Sequence, residues 1–242
     1  GNRITGGGTE GGVVLKGDES VVWGNAIGPA SEVESDLAIQ GPGVLIFGSR
    51  NSVGGISDGE GNRIAFNDSS GVAVVQPSAG DPAEGNSIRR NVIYKNKGLA
   101  IDLGADGPTA NDLGTGTAGQ DDDTGSNTLL NFPVGVTAFP NPFNLSQRVI
   151  SGILDAPNPQ AVTLDIHSSR EPGNVQKEET RFGDLETFVA SGSPNEHGVF
   201  QIVVEPAMIQ HKILSAVATD TDGNTSEVSW VCTDTDSDGS VD

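Results

Sequence analysis

The first hundred residues are built from apolar runs of three to five residues, broken again and again by asparagine and glycine, and no helical period fits them. Gly12-Val13-Val14-Leu15, Gly43-Val44-Leu45-Ile46, Gly71-Val72-Ala73-Val74 and Gly98-Leu99-Ala100-Ile101 form one series with steps of 31, 28 and 27 residues. Gly1-Asn2-Arg3-Ile4, Gly61-Asn62-Arg63-Ile64 and Gly85-Asn86-Ser87-Ile88 form a second. Self-similarity at roughly 20–30 residues marks a solenoid. With β-branched residues in place of a helical period, the unit is a coil of short parallel strands, so the spacing predicts a parallel β-helix.

Composition narrows the function. The 242 residues include 34 Gly and 13 Pro without a Gly-X-Y period, which excludes collagen and favours an all-β chain rich in tight turns. Thirty-three acidic residues against 13 basic ones give a net charge of −20. Nucleic acid is therefore not expected as a partner, because phosphate binding depends on Lys and Arg. An anionic membrane surface is disfavoured for the same reason, and no apolar run is long enough for membrane insertion. Cys232 is the single cysteine, so there is no internal disulfide framework. The chain opens at Gly1 inside a repeat, and we expect further coils upstream of it.

Four regions follow in order. Residues 1–110 hold the coils, with Val and Ile inward and Gly and Asn at corners, where Asn either tolerates left-handed backbone or bonds the Asn of the next turn. Ser31–Gln40 and Gln76–Glu84 interrupt the pattern and are expected to protrude as loops. Residues 111–130 are an acidic Gly-rich linker or loop. Residues 131–232 alternate in longer segments: 132–139, 148–154, 161–168, 185–190, 198–205, 211–218 and 226–231. Seven antiparallel strands in about a hundred residues predict an immunoglobulin-like β-sandwich. The strongest hairpin pairs 214–219 with 226–231, and Trp230 is read as a sheet-face anchor. Residues 233–242 are an acidic tail.

That tail is the most specific local motif. Asp234, Asp236 and Asp238 occupy positions 1, 3 and 5 of an oxygen-ligand calcium loop, Gly239 position 6 and Asp242 position 9. Alternating carboxylates wrap a hard cation, so calcium in a structural role is the expected cofactor, although the bidentate acid of position 12 is absent. Asp121-Asp122-Asp123 reads as a solvated run with cation binding as its competitor, and Asp220-Thr221-Asp222-Gly223-Asn224 fits a turn without metal. A catalytic reading would place Asp102 and Asp106 on one face with Arg89, Arg90, Lys95 and Lys97. His167, His197 and His211 are too scattered to predict zinc, and no Gly-x-Ser-x-Gly elbow is present.

The run Gly85-Asn86-Ser87-Ile88, Asn91-Val92-Ile93 and Gly98-Leu99-Ala100-Ile101-Asp102-Leu103-Gly104, followed by Asn131-Phe132-Pro133 and later by Ala218-Thr219-Asp220-Thr221-Asp222-Gly223-Asn224-Thr225-Ser226-Glu227, resembles the right-handed parallel β-helix repeats of large secreted or surface bacterial proteins. The tail resembles the start of a thrombospondin type 3 or dockerin-like aspartate repeat. The resemblance implies an extracellular or cell-surface location and a right-handed coil, and it implies no single activity. The expected function is a non-enzymatic structural, adhesion or fibre-forming module whose partners are a surface polysaccharide, a protein or copies of itself. The alternative is a polysaccharide-binding or polysaccharide-degrading protein, weakened by an aromatic content of 5%.

Overall fold

The computed structural model describes residues 1–78, 80, 83–112, 124–177 and 180–231. These residues are nearly all β, with parallel sheets first and antiparallel sheets after. The first part holds eleven strands of two or three residues each: β1 (Arg3–Ile4), β2 (Val13–Leu15), β3 (Val21–Val22), β4 (Ala26–Ile27), β5 (Val44–Ile46), β6 (Ser52–Gly54), β7 (Arg63–Ala65), β8 (Val72–Val74), β9 (Ser87–Arg89), β10 (Val92–Tyr94) and β11 (Ile101–Leu103). They make three sheets, ordered β1-β4-β7-β10, β2-β5-β8-β11 and β3-β6-β9, in which every neighbouring pair is parallel. The chain visits the sheets in fixed cyclic order, so each rung lies on the one before. Ile27, Ile64 and Ile93 stand in one inward column, and Val44, Val72 and Ile101 in another, all fully buried. Burying a Val or Ile side chain stabilises by roughly 1.5–3 kcal/mol.

The register corrects the two sequence series. Val13, Val44, Val72 and Ile101 pair, so Gly12, Gly43 and Gly71 stack on Ala100 and not on Gly98. The reason is steric. A Cβ on Gly43 would lie 2.4 Å from Ile64 and 2.8 Å from the Gly71 carbonyl, and one on Gly71 would lie 2.7 Å from the Ala100 carbonyl. Ala100 belongs to the last rung, where no further parallel strand pairs with β11 among the described residues, and there a methyl group fits. Gly43→Ala is expected to destabilise by about 1–3 kcal/mol through overpacking. Ala100→Gly relieves no clash and should cost about 1–2 kcal/mol, from the glycine backbone penalty and the loss of one buried methyl group. Urea denaturation of both variants checks the contrast.

The second series mixes two columns. Asn62 precedes β7, whereas Asn86 precedes β9 in a different sheet. The same short pattern recurs because both corners need the same device, a ladder of stacked asparagines, most of them buried. Asn25 and Asn62 each donate their backbone N–H and Nδ2 to the Oδ1 of the next rung's asparagine, Asn62 and Asn91 respectively. Asn51 does so to Asn86, and Asn67 to Asn96. None of these asparagines has positive φ; the left-handed corner positions are instead Glu19, Arg50 and Gly85 in one register and Phe66 and Lys95 in another. Of the two roles expected for asparagine, these positions use the ladder, while Asn127, at φ 48°, combines a ladder bond with left-handed backbone.

The antiparallel part comprises β12 (Val134–Pro140), β13 (Arg148–Ile153), β14 (Thr163–Ser169), β15 (Gln176–Lys177), β16 (Thr180–Phe182), β17 (Thr187–Gly192), β18 (Val199–Val204), β19 (Ile213–Thr219) and β20 (Trp230–Val231). The sheets β12-β13-β18 and β17-β14-β19 share one apolar core containing Ile150, Phe200, Leu164, Ile166 and Ala216. The segments expected from alternation lie within a few residues of these strands, except at the end. Along 226–229 the hairpin partner of β19 is held partly by side chains: the Oγ atoms of Ser226 and Ser229 accept the Ala218 and Ala216 N–H groups. Only Trp230–Val231 is strand, and it pairs with β16, which alternation alone did not reveal. Trp230 packs edge-on against Phe132, as an anchor should. The 31–40 insertion forms a 3-10 turn at Glu32–Leu37 with Val33 exposed, yet it returns through Ile39, which is fully buried and bridges Gly7.

Candidate functional site

A parallel stack ends on a row of N–H groups with no strand to receive them, an edge that must be paired or covered. Here side chains from downstream of the stack take that role. Asn127 Oδ1 accepts the Asn86 N–H at 3.0 Å and continues the Asn51–Asn86 ladder by one step. Asn224 Oδ1 accepts from Gly85, Thr225 Oγ1 from Ile88, Asp184 Oδ2 from Lys95 and Glu227 Oε1 from Leu103. Leu185 and Ile93 exchange both backbone bonds at 2.7 and 2.9 Å. Asp220 ties the preceding turn, accepting the N–H groups of Asp222 and Asn224 and the Asn224 Nδ2. That turn is a hydrogen-bonded reversal.

Charge crosses the same junction. Arg89 forms a two-toothed pair with Asp165, Nε to Oδ2 at 2.8 Å and Nη2 to Oδ1 at 2.9 Å, and Asp165 is 1% exposed. Ser191 Oγ also donates to Asp165. Arg90 lies over the Phe188 ring at 4.5 Å and donates to the Ile56 carbonyl and Ser191 Oγ. Beside them His167 is fully enclosed, with neither ring nitrogen hydrogen-bonded, and burial pushes its pKa down to about 4.

Two buried carboxyls shift the other way. Burial raises Glu227 to about 8 despite the N–H groups of Leu103 and Thr109, and raises Asp184 to about 6. The signs have opposite consequences for stability. The Glu227 contribution is complete below about pH 4.5 and falls as pH rises to about 8; that of Asp184 falls between about pH 4 and 6. The His167 contribution is complete above about pH 6.5 and falls as pH drops to about 4. Of these three groups Glu227 alone is still titrating between pH 6.5 and 8, so the unfolding free energy from urea denaturation should decline there by up to about 1.4 kcal/mol per pH unit. Glu227→Gln keeps a carbonyl for the Leu103 N–H and should flatten that decline.

The residues of the catalytic reading do not gather as one set: Asp102 and Asp106 are neighbours at the end of the stack and Lys95 and Lys97 line one cavity, but the bases are engaged elsewhere. Arg89 is held by Asp165, Lys95 by Glu32 at 2.8 Å, Lys97 by Asp68 at 2.8 Å, and Asp102 accepts from Ser70 Oγ at 2.8 Å while sitting 6% exposed. Burial raises the Asp102 carboxyl, as expected of a group enclosed at the end of the stack. Among the described residues no three His, Cys, Asp or Glu side chains gather as a metal site. Asp234, Asp236, Asp238 and Asp242, together with Asp121-Asp122-Asp123, lie outside the described residues.

Two adjoining cavities open where the 31–40 insertion, the last rungs and the antiparallel part meet. One, of about 300 Å3, is lined by Glu32, Asn67, Asp68, Lys95, Lys97 and Asn174 among others. The second, of about 210 Å3, is lined by Tyr94, Arg170, Asp184 and Glu186. Phe66, Lys95 and Glu171 line both, so the two cavities lie side by side in one cleft region. Its walls combine an aromatic pair with paired charges: Phe66 meets Tyr94 edge-on at 5.5 Å, Lys95 bridges Glu32 and Glu171, and Arg170 pairs with Glu186 at 2.7 Å. Sequence reasoning found Lys95 and Lys97 but not Phe66, Tyr94, Glu171 or Asp184; the only hint was the insertion at 31–40. Comparison of the chain with protein-family models, curated proteins and solved structures finds no match.

Proposed function

We propose that this chain is an extracellular, non-enzymatic module for adhesion, surface structure or fibre assembly. In this reading a right-handed parallel β-helix over residues 1–110 passes through an acidic loop at 111–130 into an immunoglobulin-like β-sandwich at 131–232, and a calcium-stabilised tail follows. The cyclic order of the short parallel strands and the core shared by two antiparallel sheets support that architecture. One observation supports the passive role above the others. The acids and bases at the end of the stack are engaged in holding it closed: Arg89 on Asp165, Glu227 on Leu103 and Thr109, and Asp102 on Ser70. The partners proposed are a surface polysaccharide, a protein or copies of the chain.

A second reading, a polysaccharide-degrading enzyme, is favoured by one feature. Asp184, raised to about 6 by burial, lines a cavity together with Glu171 and Glu186, and a carboxyl pushed toward its neutral form beside other carboxyls is an ingredient of acid–base glycoside chemistry. The test is incubation of the chain with neutral and acidic polysaccharides, with and without calcium. Bound protein and newly formed reducing or unsaturated ends are both measured. No new ends are expected. New ends that disappear in Asp184→Asn would replace the passive reading with the enzymatic one.

A further inference from the structure

We infer that the cleft between the 31–40 insertion, the last rungs and the antiparallel part is a binding site for a neutral oligosaccharide. The inference rests on the surface-module reading and gives that module its ligand class. The larger of its two cavities, about 300 Å3, is at the lower end of the range for small-ligand sites, and the second, about 210 Å3, adjoins it across the shared walls Phe66, Lys95 and Glu171.

Its charges decide the ligand chemistry. Lys95 sits between Glu32 and Glu171, Lys97 is paired with Asp68, and Arg170 with Glu186. The lining acids Glu32, Asp68, Glu171, Asp184 and Glu186 outnumber the lining bases Lys95, Lys97 and Arg170. An anionic ligand would meet net repulsion and no uncommitted base. A hydroxyl both donates and accepts, so a polyhydroxylated neutral chain can bond the carboxylates and the ammonium groups without separating the pairs.

The wall also carries two half-buried aromatic rings, Phe66 and Tyr94, each with one face under the Arg63 guanidinium and its edges left toward the cleft for C–H contacts. Phe66 and Tyr94 come from successive rungs, and the Arg63 guanidinium lies 5.5 and 5.4 Å from their ring centres, with Nε donating to the Tyr94 hydroxyl. The walls are fixed in advance. Phe66 and Lys95 stand in register with left-handed backbones, φ 60° and 53°, and the Lys95 N–H is held by Asp184. A pre-ordered wall lowers the entropy lost on binding.

The test is calorimetric titration of the full chain with neutral gluco-, galacto- and manno-oligosaccharides, with oligogalacturonate and spermine as anionic and cationic probes. At least one neutral oligosaccharide is expected to bind, and oligogalacturonate is not. Tyr94→Ala and Lys95→Asn should each weaken binding about tenfold or more. Asn accepts the left-handed backbone at position 95, so this variant should melt with the parent. Binding of spermine alone, no neutral binding, or neutral binding unchanged in both variants would overturn the inference. Assaying the same samples for new sugar ends keeps the two readings apart. New ends would overturn the non-enzymatic role whatever happens at the cleft. Lost cleft binding without new ends would overturn only the ligand assignment.

Discussion

Asn86→Ala is expected to destabilise the chain by about 3–6 kcal/mol, enough to unfold a protein of ordinary stability. The side chain is fully buried and serves three groups at once. Its Oδ1 receives the N–H and the Nδ2 of Asn51, and its Nδ2 donates to the Gly48 carbonyl, each at 3.0 Å. Alanine leaves all three without partners in a site closed to water, at about 1–3 kcal/mol each before relaxation. Asn2→Ala, at the exposed end of the parallel ladder, makes the natural comparison and should cost less than about 1 kcal/mol, since water replaces its bonds. Chemical denaturation of both proteins measures the difference. Equal losses would mean that the ladder is not what holds the rungs in register.

Asp165→Ala should cost about 3–5 kcal/mol, because it strands the largely buried Arg89 without its counter-charge. The pair joins β9 of the parallel stack to β14 of the antiparallel part, so its loss also loosens their union. The combined change Asp165→Leu with Arg89→Met removes both charges and keeps apolar volume. It should recover most of the loss, since replacing a buried ion pair by packed hydrophobes is often near neutral. A double-mutant cycle on the urea midpoints is the measurement. A single-variant loss below about 1 kcal/mol would show that water already reaches the arginine.

The rung architecture was readable because its determinants are local and repeated. An inward aliphatic residue, an asparagine at the corner and, in all but the last rung, a glycine under the neighbouring carbonyl recur from turn to turn, so Ile64 and Ile93 or Gly12, Gly43 and Gly71 announce themselves, whereas Ile27 in the same column did not. The exact column was harder, because Asn62 and Asn86 have the same neighbours in sequence and different neighbours in space. Asn224, Thr225 and Glu227 were visible as a motif, but their role depends on Gly85, Ile88 and Leu103 more than a hundred residues away. Asp165 was hidden more deeply, as a polar residue within an alternating strand with nothing local to mark its arginine. The cleft suffered from the same distance. Phe66, Tyr94 and Glu171 come together only when the insertion, the rungs and the antiparallel part are assembled.

The closing of the stack by distant side chains also sets an order of events for the growing polypeptide. When Leu103 has left the ribosome, Glu227 and Thr225 have yet to be made, so the final rung waits with its amides bare. Loop closures of this length make folding slow, and the waiting edge is a template for any other strand in reach. Successful synthesis therefore depends on the interval between the two, and a pause in translation placed after Leu103 has emerged and before Thr225 is made should raise the yield of aggregated chains.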